Sequence, residues 1–182
     1  MKLFKLALIF VAAIYLSGCA SGAKMKNMTF QGEQKSYFDV LNDNIELSNV
    51  SGGQKTNPLW TSEISSEALS GAVRGSLQAQ GLLSDDGRYK LVVNMLKVDQ
   101  PIFGLDFEVT THVQYLLTDS ATQSIVFDET IIAPHTATFK DAFVAVKRLR
   151  LANEGAGRKN IEALLDKLSA LQIDKNEVSL VE

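Results

Sequence analysis

The chain has 182 residues, 46% hydrophobic and 21% charged, with 18 Lys and Arg against 21 Asp and Glu; this ordinary globular composition argues against a collagenous, disordered or polytopic membrane protein. A formal net charge of −3 offers no strongly basic face, so no nucleic-acid partner is expected. The single Cys allows neither an intramolecular disulfide nor a cysteine-rich zinc site, and no metal or cofactor is expected.

Lys2 and Lys5 give a positive start to the apolar run from Leu6 to Leu16. That run is too short to cross a hydrocarbon core of roughly 30 Å, which needs ~20 helical residues. It reads as a secretory signal, residues 1–18. Leu16-Ser17-Gly18-Cys19 resembles the lipobox of bacterial lipoproteins. The resemblance implies cleavage after Gly18, a diacylglyceryl group on the Cys19 sulfur and an acyl chain such as palmitate on the new amino terminus. A thiolate is the strong soft nucleophile such a transfer needs. Two or more acyl chains suffice for stable attachment, at ~0.8 kcal/mol per buried methylene. Ala20 and Ser21 follow the Cys in place of the Asp that retains enterobacterial-type lipoproteins at the inner membrane. The expected location is therefore the outer membrane, facing the periplasm. The other reading is an ordinary signal peptide or N-terminal anchor with a chance Cys. Loss of residues 1–18 leaves 164 residues and moves the net charge from −3 to −5. One core can hold a chain of that size without disulfides.

Residues 19–44 are polar and aperiodic and predict a lipidated tether, partly ordered around Phe30, Tyr37 and Phe38. A segment of that length spans ~80 Å stretched but only ~30 Å as a coil. Residues 45–182 are expected to form a single domain. Ile45 to Val50 predicts a first strand. A helix over 62–80 follows, capped by Thr61 or Ser62 and stopped by Gly81. Its small seam (Ala68, Ala72, Gly75, Ala79) suits either a docked partner or tight packing on its own sheet, and the second is preferred.

Three long strands are predicted over 89–98, 106–118 and 124–133, the second with period-two alternation from Phe107 to Leu117. Short connections make them an antiparallel meander. A last helix over 141–171 carries a core stripe of Phe143, Val146, Leu149, Ile161, Leu164, Leu168 and Leu171, with a kink or break expected near Gly155 and Gly157. Arg150, Glu154 and Arg158 recur at i, i+4 as a charged ladder. Asn153 falls on the buried stripe, where it needs hydrogen-bond partners.

The order β-α-β-β-β-α predicts an α+β fold, a single antiparallel sheet of about four strands with two helices on one face. At the level of fold this is similar to small periplasmic lipoproteins such as the lipopolysaccharide-translocon plug and lipid-transport auxiliary lipoproteins. Leu59-Trp60-Thr61-Ser62, Asp99-Gln100-Pro101 with Gly104, and Arg148-Leu149-Arg150-Leu151-Ala152-Asn153-Glu154-Gly155 resemble a family of uncharacterised proteobacterial lipoproteins. Some of its members are labelled UDP-N-acetylglucosamine acyltransferases. Enzymes of that name are parallel β-helices of hexapeptide repeats, and this chain has no six-residue period. It also has no Gly-x-Ser-x-Gly elbow and no phosphate-binding Gly-rich loop. His112 and His135 lack the i+3 or i+4 partner of a zinc site. His112 falls on a polar sheet face, His135 in a loop, and Asp85-Asp86 in a turn.

The expectation is a non-enzymatic envelope lipoprotein, a binding or assembly accessory with an unidentified protein or lipid partner. The alternatives are an envelope sugar or lipid enzyme of acyltransferase type and a pilotin or subunit of a secretion machine. Two contact surfaces stand out. One is the sheet face bearing Thr110, His112 and Gln114 near Leu96 and Leu116; the other is the basic cluster Lys147, Arg148, Arg150, Arg158 and Lys159. Arg150, Asn153, Glu154, Arg158 and His112 are the possible contact residues.

Overall fold

The computed structural model describes residues 21–57, 61–173 and 178–180. Gly18, Cys19, Leu59 and Trp60 lie outside the described residues. In chain order the elements are α1 (Met25–Met28), β1 (Ile45–Ser51), α2 (Ser66–Ala79), β2 (Tyr89–Asp99), β3 (Phe107–Asp119), β4 (Ser124–Ala137) and α3 (Ala145–Ala170). A small antiparallel pair, β5 (Leu171–Ile173) and β6 (Val178–Leu180), follows.

The main sheet has the order β1-β2-β3-β4. Every second side chain of β3, from Phe107 to Asp119, is buried, as a strand covered on one face requires. β2 and β4 flank it antiparallel, so the predicted meander is present. β1 departs from the expectation. It runs parallel to β2, with Ile45 opposite Tyr89 and Leu47 opposite Leu91. The sheet is therefore mixed. Its cause is the helix between the two strands, since a crossover helix returns the chain to the end of the sheet at which β1 began.

Both long helices lie on one face of the sheet. Leu69, Val73 and Leu77 of α2, and Ile161, Leu164 and Leu168 of α3, share one core with Leu91, Val93, Val113, Tyr115 and Leu117. α2 begins four residues later than predicted. Its cap is Ser65, whose Oγ accepts the Ala68 N–H at 3.1 Å. Ser62 is committed elsewhere, donating its hydroxyl to the Ser21 carbonyl at 2.9 Å. Gly81, at φ +70°, ends the helix as expected.

α3 runs unbroken through Gly155 and Gly157, where a kink or break was expected. The glycines serve close approach. A Cβ on Gly155 would lie 1.9 Å from Cδ2 of His135, and one on Gly157 would lie 2.8 Å from Sδ of Met28. The ~1 kcal/mol helix cost of each glycine is offset by the packing of β4 and the N-terminal segment against bare backbone. At its other end α3 starts late. Phe143 precedes the cap residue Val144 and is 81% exposed, outside the core stripe to which its spacing assigned it.

Two further expectations are corrected. Met28, Phe30 and Leu41 belong to the main core, so the described part of the predicted tether is packed onto the domain. β4 continues to Ala137, which places His135 in a strand and not in a loop. Pro134 is tolerated there because β4 is an edge strand. No described helix is long and apolar enough to cross a membrane.

Candidate functional site

The RLRLANEG segment forms the first half of α3, and its spacing places Arg150, Asn153 and Glu154 on one face. What they face is the segment that leads away from Cys19. The Glu154 carboxylate, 3% exposed, accepts the Lys24 backbone N–H at 3.0 Å and the Asn27 Nδ2 at 2.7 Å. Arg150 donates to Ser21 Oγ at 2.5 Å, and its Nε lies 3.5 Å from Glu154 Oε1. The Ala23 N–H donates to the Glu63 carbonyl at 2.9 Å. Asn153, fully buried, donates to the Ser62 carbonyl at 2.6 Å and accepts from Gln100 Nε2 at 3.0 Å. Ser62 in turn holds Ser21.

These bonds make a seam. It fixes residues 21–27 against α3 and the 61–63 strap. Buried hydrogen bonds to a charged group contribute more than neutral ones, about 1.5–3 kcal/mol each. The i, i+4 ladder thus begins as predicted with Arg150 and Glu154, but it clamps the N-terminal segment. Partial burial raises the Glu63 carboxyl above its ordinary value, and the hydrogen bond from Gln100 opposes that shift.

Arg158 points elsewhere. It lines an open cleft of about 760 Å³ between α1, β4 and α3, together with Lys26, Phe30, His135 and Glu162. Burial holds the His135 imidazole below its ordinary value, with the Lys159 and Arg158 charges adding to the effect. Both acids and bases line this cleft, so it has no single-sign field to select one ligand class.

His112 is on the far side of the sheet. Its neighbour Thr111 turns inward, where its hydroxyl donates to the Ala156 carbonyl of α3 at 3.4 Å. His112 turns outward to Asp99, with Nε2 3.1 Å from Oδ2. The hydrogen bond from Lys97 is the main reason that the Asp99 carboxyl titrates below its ordinary value. Thr110, Gln114 and Leu116 are half-buried on this face, and Leu96, in the register shift between Met95 and Lys97, is 53% exposed. The five possible contact residues therefore fall into three places, the seam, the cleft and the open sheet face, with Glu154 shared between the seam and the cleft.

Two residues matter more than the sequence indicated. Asn160 is fully buried under the sheet, donating to Ile131 O at 2.9 Å and Thr111 Oγ1 at 3.1 Å and accepting from Tyr115 Oη at 2.8 Å. Its position on the apolar stripe was the available signal. Arg148, grouped by sequence with a basic surface cluster, is 3% exposed. Its guanidinium stacks 4.7 Å from the Phe107 ring and donates to Ala142 O at 2.7 Å and Gly104 O at 3.3 Å. Lys147, Arg158 and Lys159 of that cluster are exposed, and Arg150 is partly covered. Asp85 pairs with Arg74 at 3.0 Å on an exposed turn. Among the described residues no group of three or more His, Cys, Asp or Glu is arranged to hold a metal ion.

No family model matches the chain, and no curated protein matches it. Solved structures do share its fold. Protein XCC0632 from Xanthomonas campestris, of the family DUF330, superposes with a TM-score of 0.51 at 12% identity, over 74% of this chain and 90% of that one. The hypothetical protein CT253 from Chlamydia trachomatis gives 0.50 at 8% identity, over 71% and 99%. A minor lipoprotein from Acinetobacter baumannii gives 0.49 at 11% identity, over 76% and 98%. The first two share the fold described above, an α+β domain whose four-stranded sheet carries its helices on one face. At such identities the likeness is one of fold.

Proposed function

We propose that this protein is a lipid-anchored lipoprotein of the bacterial envelope, held at the periplasmic side of the outer membrane, and that it acts as a non-enzymatic binding or assembly accessory. The observation that carries the reading is a conjunction. The Leu16-Ser17-Gly18-Cys19 motif ends two residues before Ser21, and Ser21 is where the seam begins. A chain pulled at Cys19 transmits that pull directly to α3.

The non-enzymatic part of the reading rests on how the polar groups are used. Asn153 and Glu154 were the best placed to do chemistry in an enzyme of envelope sugars or lipids. Both instead have their hydrogen-bonding groups engaged by main chain and by Asn27 and Gln100. A pilotin-like role or membership of a secretion machine shares the anchor and lacks a feature of its own here.

Feeding cells labelled palmitate tests the anchor. The full chain takes up label and Cys19→Ser abolishes it; a wild-type chain without label overturns the reading. Crosslinking in intact cells then identifies the partner, and a chain that crosslinks to no envelope protein and binds no envelope lipid contradicts the accessory role.

A further inference from the structure

The end of the sheet next to Ser21 carries a cluster of uncovered apolar side chains. Ile102, Phe103 and Leu105, in the β2–β3 connection, are 95%, 85% and 76% exposed. Phe143 and Val144, in the β4–α3 connection, are 81% and 56% exposed, and Phe139 is 44% exposed. Scattered exposed apolar residues need no explanation, but a contiguous apolar patch marks an interaction surface.

The two connections are joined. Buried Arg148 donates to Gly104 O in one at 3.3 Å and to Ala142 O in the other at 2.7 Å. Asp106 accepts the Phe139 N–H at 2.9 Å. The Phe139 and Phe143 rings meet edge-on, with centroids 5.2 Å apart. The apolar tips are thus held out by a scaffold, and a buried cation fixes their backbone.

The position of this patch says what covers it. Gln100, two residues before Ile102, donates to the Ser62 carbonyl at 3.2 Å, and Ser62 donates to the Ser21 carbonyl at 2.9 Å. One residue therefore separates the root of the apolar loop from the start of the chain's exit. Cys19 stands two residues further on, a reach of at most about 7 Å. An acyl group there enters a bilayer whose surface must lie beside these loops. Exposed Lys140 and Lys147 flank the phenylalanines, as cations at a headgroup boundary do. Asp106 and Asp141 are both engaged in hydrogen bonds from backbone N–H groups of residues 138 and 139.

We infer that the β2–β3 and β4–α3 tips form a second membrane contact. Ile102, Phe103, Leu105 and Phe143 enter the acyl boundary of the bilayer that holds the lipid on Cys19, so that the domain sits in one fixed orientation. The acyl chains alone suffice for stable attachment; what the apolar tips add is the orientation of the domain. The inference rests on the proposed lipid anchor, and the experiment keeps the two apart.

Acylation blocks the sole cysteine, so an added one is the only labelling site. The acylated full chain, as Phe103→Cys, Phe143→Cys or Ser120→Cys, is labelled with an environment-sensitive dye. It is reconstituted on vesicles of phosphatidylethanolamine with a minority of phosphatidylglycerol. Ser120 lies in the exposed turn at the opposite end of β3. The expected result is blue-shifted emission at 103 and 143, with most of the intensity lost when nitroxide-bearing acyl chains are added, and no change at 120. Water-like emission at 103 and 143 on a chain that still floats with the vesicles overturns the second contact and leaves the anchor standing. Shielding seen only in native outer-membrane vesicles also overturns it, because a protein then covers the tips. A wild-type chain that takes up dye and fails to float overturns the anchor, and this inference with it.

Discussion

Glu154 and Gly155 are neighbours in α3 with opposite tasks. Glu154 reaches out to hold Lys24 and Asn27; Gly155 withdraws so that the His135 ring can lie against the helix. Glu154→Ala removes two bonds to a charged acceptor, worth about 1.5–3 kcal/mol each. The opened population of residues 21–27 then rises roughly tenfold or more, since about 1.4 kcal/mol is a factor of ten. Limited trypsin digestion checks this. Cleavage after Lys24 and Lys26 accelerates while the α3 core stays resistant, and an unchanged rate removes the clamp from the account. Gly155→Ala places a methyl group inside the His135 ring, and overpacking of that kind costs about 1–3 kcal/mol. Urea unfolding of Gly155→Ala and of Gly155→Ala with His135→Ala separates the causes. The second substitution recovers most of the loss if the clash is responsible and recovers none if the added methyl strains the helix alone.

At the scale of elements, the far end of the sheet is pinned by an ion pair between the strands themselves. Arg88, just before β2, donates to both Asp119 oxygens at the end of β3, at 2.7 and 2.5 Å. The hydrogen bonds from Arg88 lower the Asp119 carboxyl from 3.8 to about 2, with the Ala121 N–H adding to the effect. A carboxyl depressed on folding contributes stability above its unfolded value, and that contribution is lost as the pH falls through the folded one. Thermal unfolding of the wild type should therefore lose stability between about pH 4 and pH 2. Asp119→Asn should be less stable at neutral pH and flatter across that window; an identical acid limb in both chains contradicts the assignment. The strands and helices themselves were largely legible. Alternation in 107–117 and the helical stripe of Leu149, Ile161, Leu164 and Leu168 report burial on one face, which local sequence encodes. The parallel β1, the late start of α2 and the unbroken α3 were not. Each depends on a contact across the fold: a crossover, a Ser62 hydroxyl committed to Ser21, and a glycine facing His135. Phe143 fitted the helical stripe by spacing alone and lies outside it because the helix begins at Ala145.

For the whole molecule, the packing of residues 21–41 changes the physical picture of the segment after Cys19 from a leash to a mount. Its apolar residues Met28, Phe30 and Leu41 have no period, so they read as a coil; all three are nevertheless buried in the main core. The candidate site was legible to the extent that Asn153 stood out as a polar residue on the buried stripe and Arg150 and Glu154 as part of a charged ladder. What they bind was not, because the Lys24 and Ser21 partners are more than a hundred residues away in sequence. The mount has meaning only if its origin is acylated. The most direct test is the mass of the amino-terminal tryptic peptide, ending at Lys24, from the protein extracted out of bacterial membranes with detergent. The expected peptide begins at Cys19 and carries a diacylglyceryl thioether and an amide-linked acyl chain. A peptide that begins elsewhere, or that has a free thiol at Cys19, contradicts it.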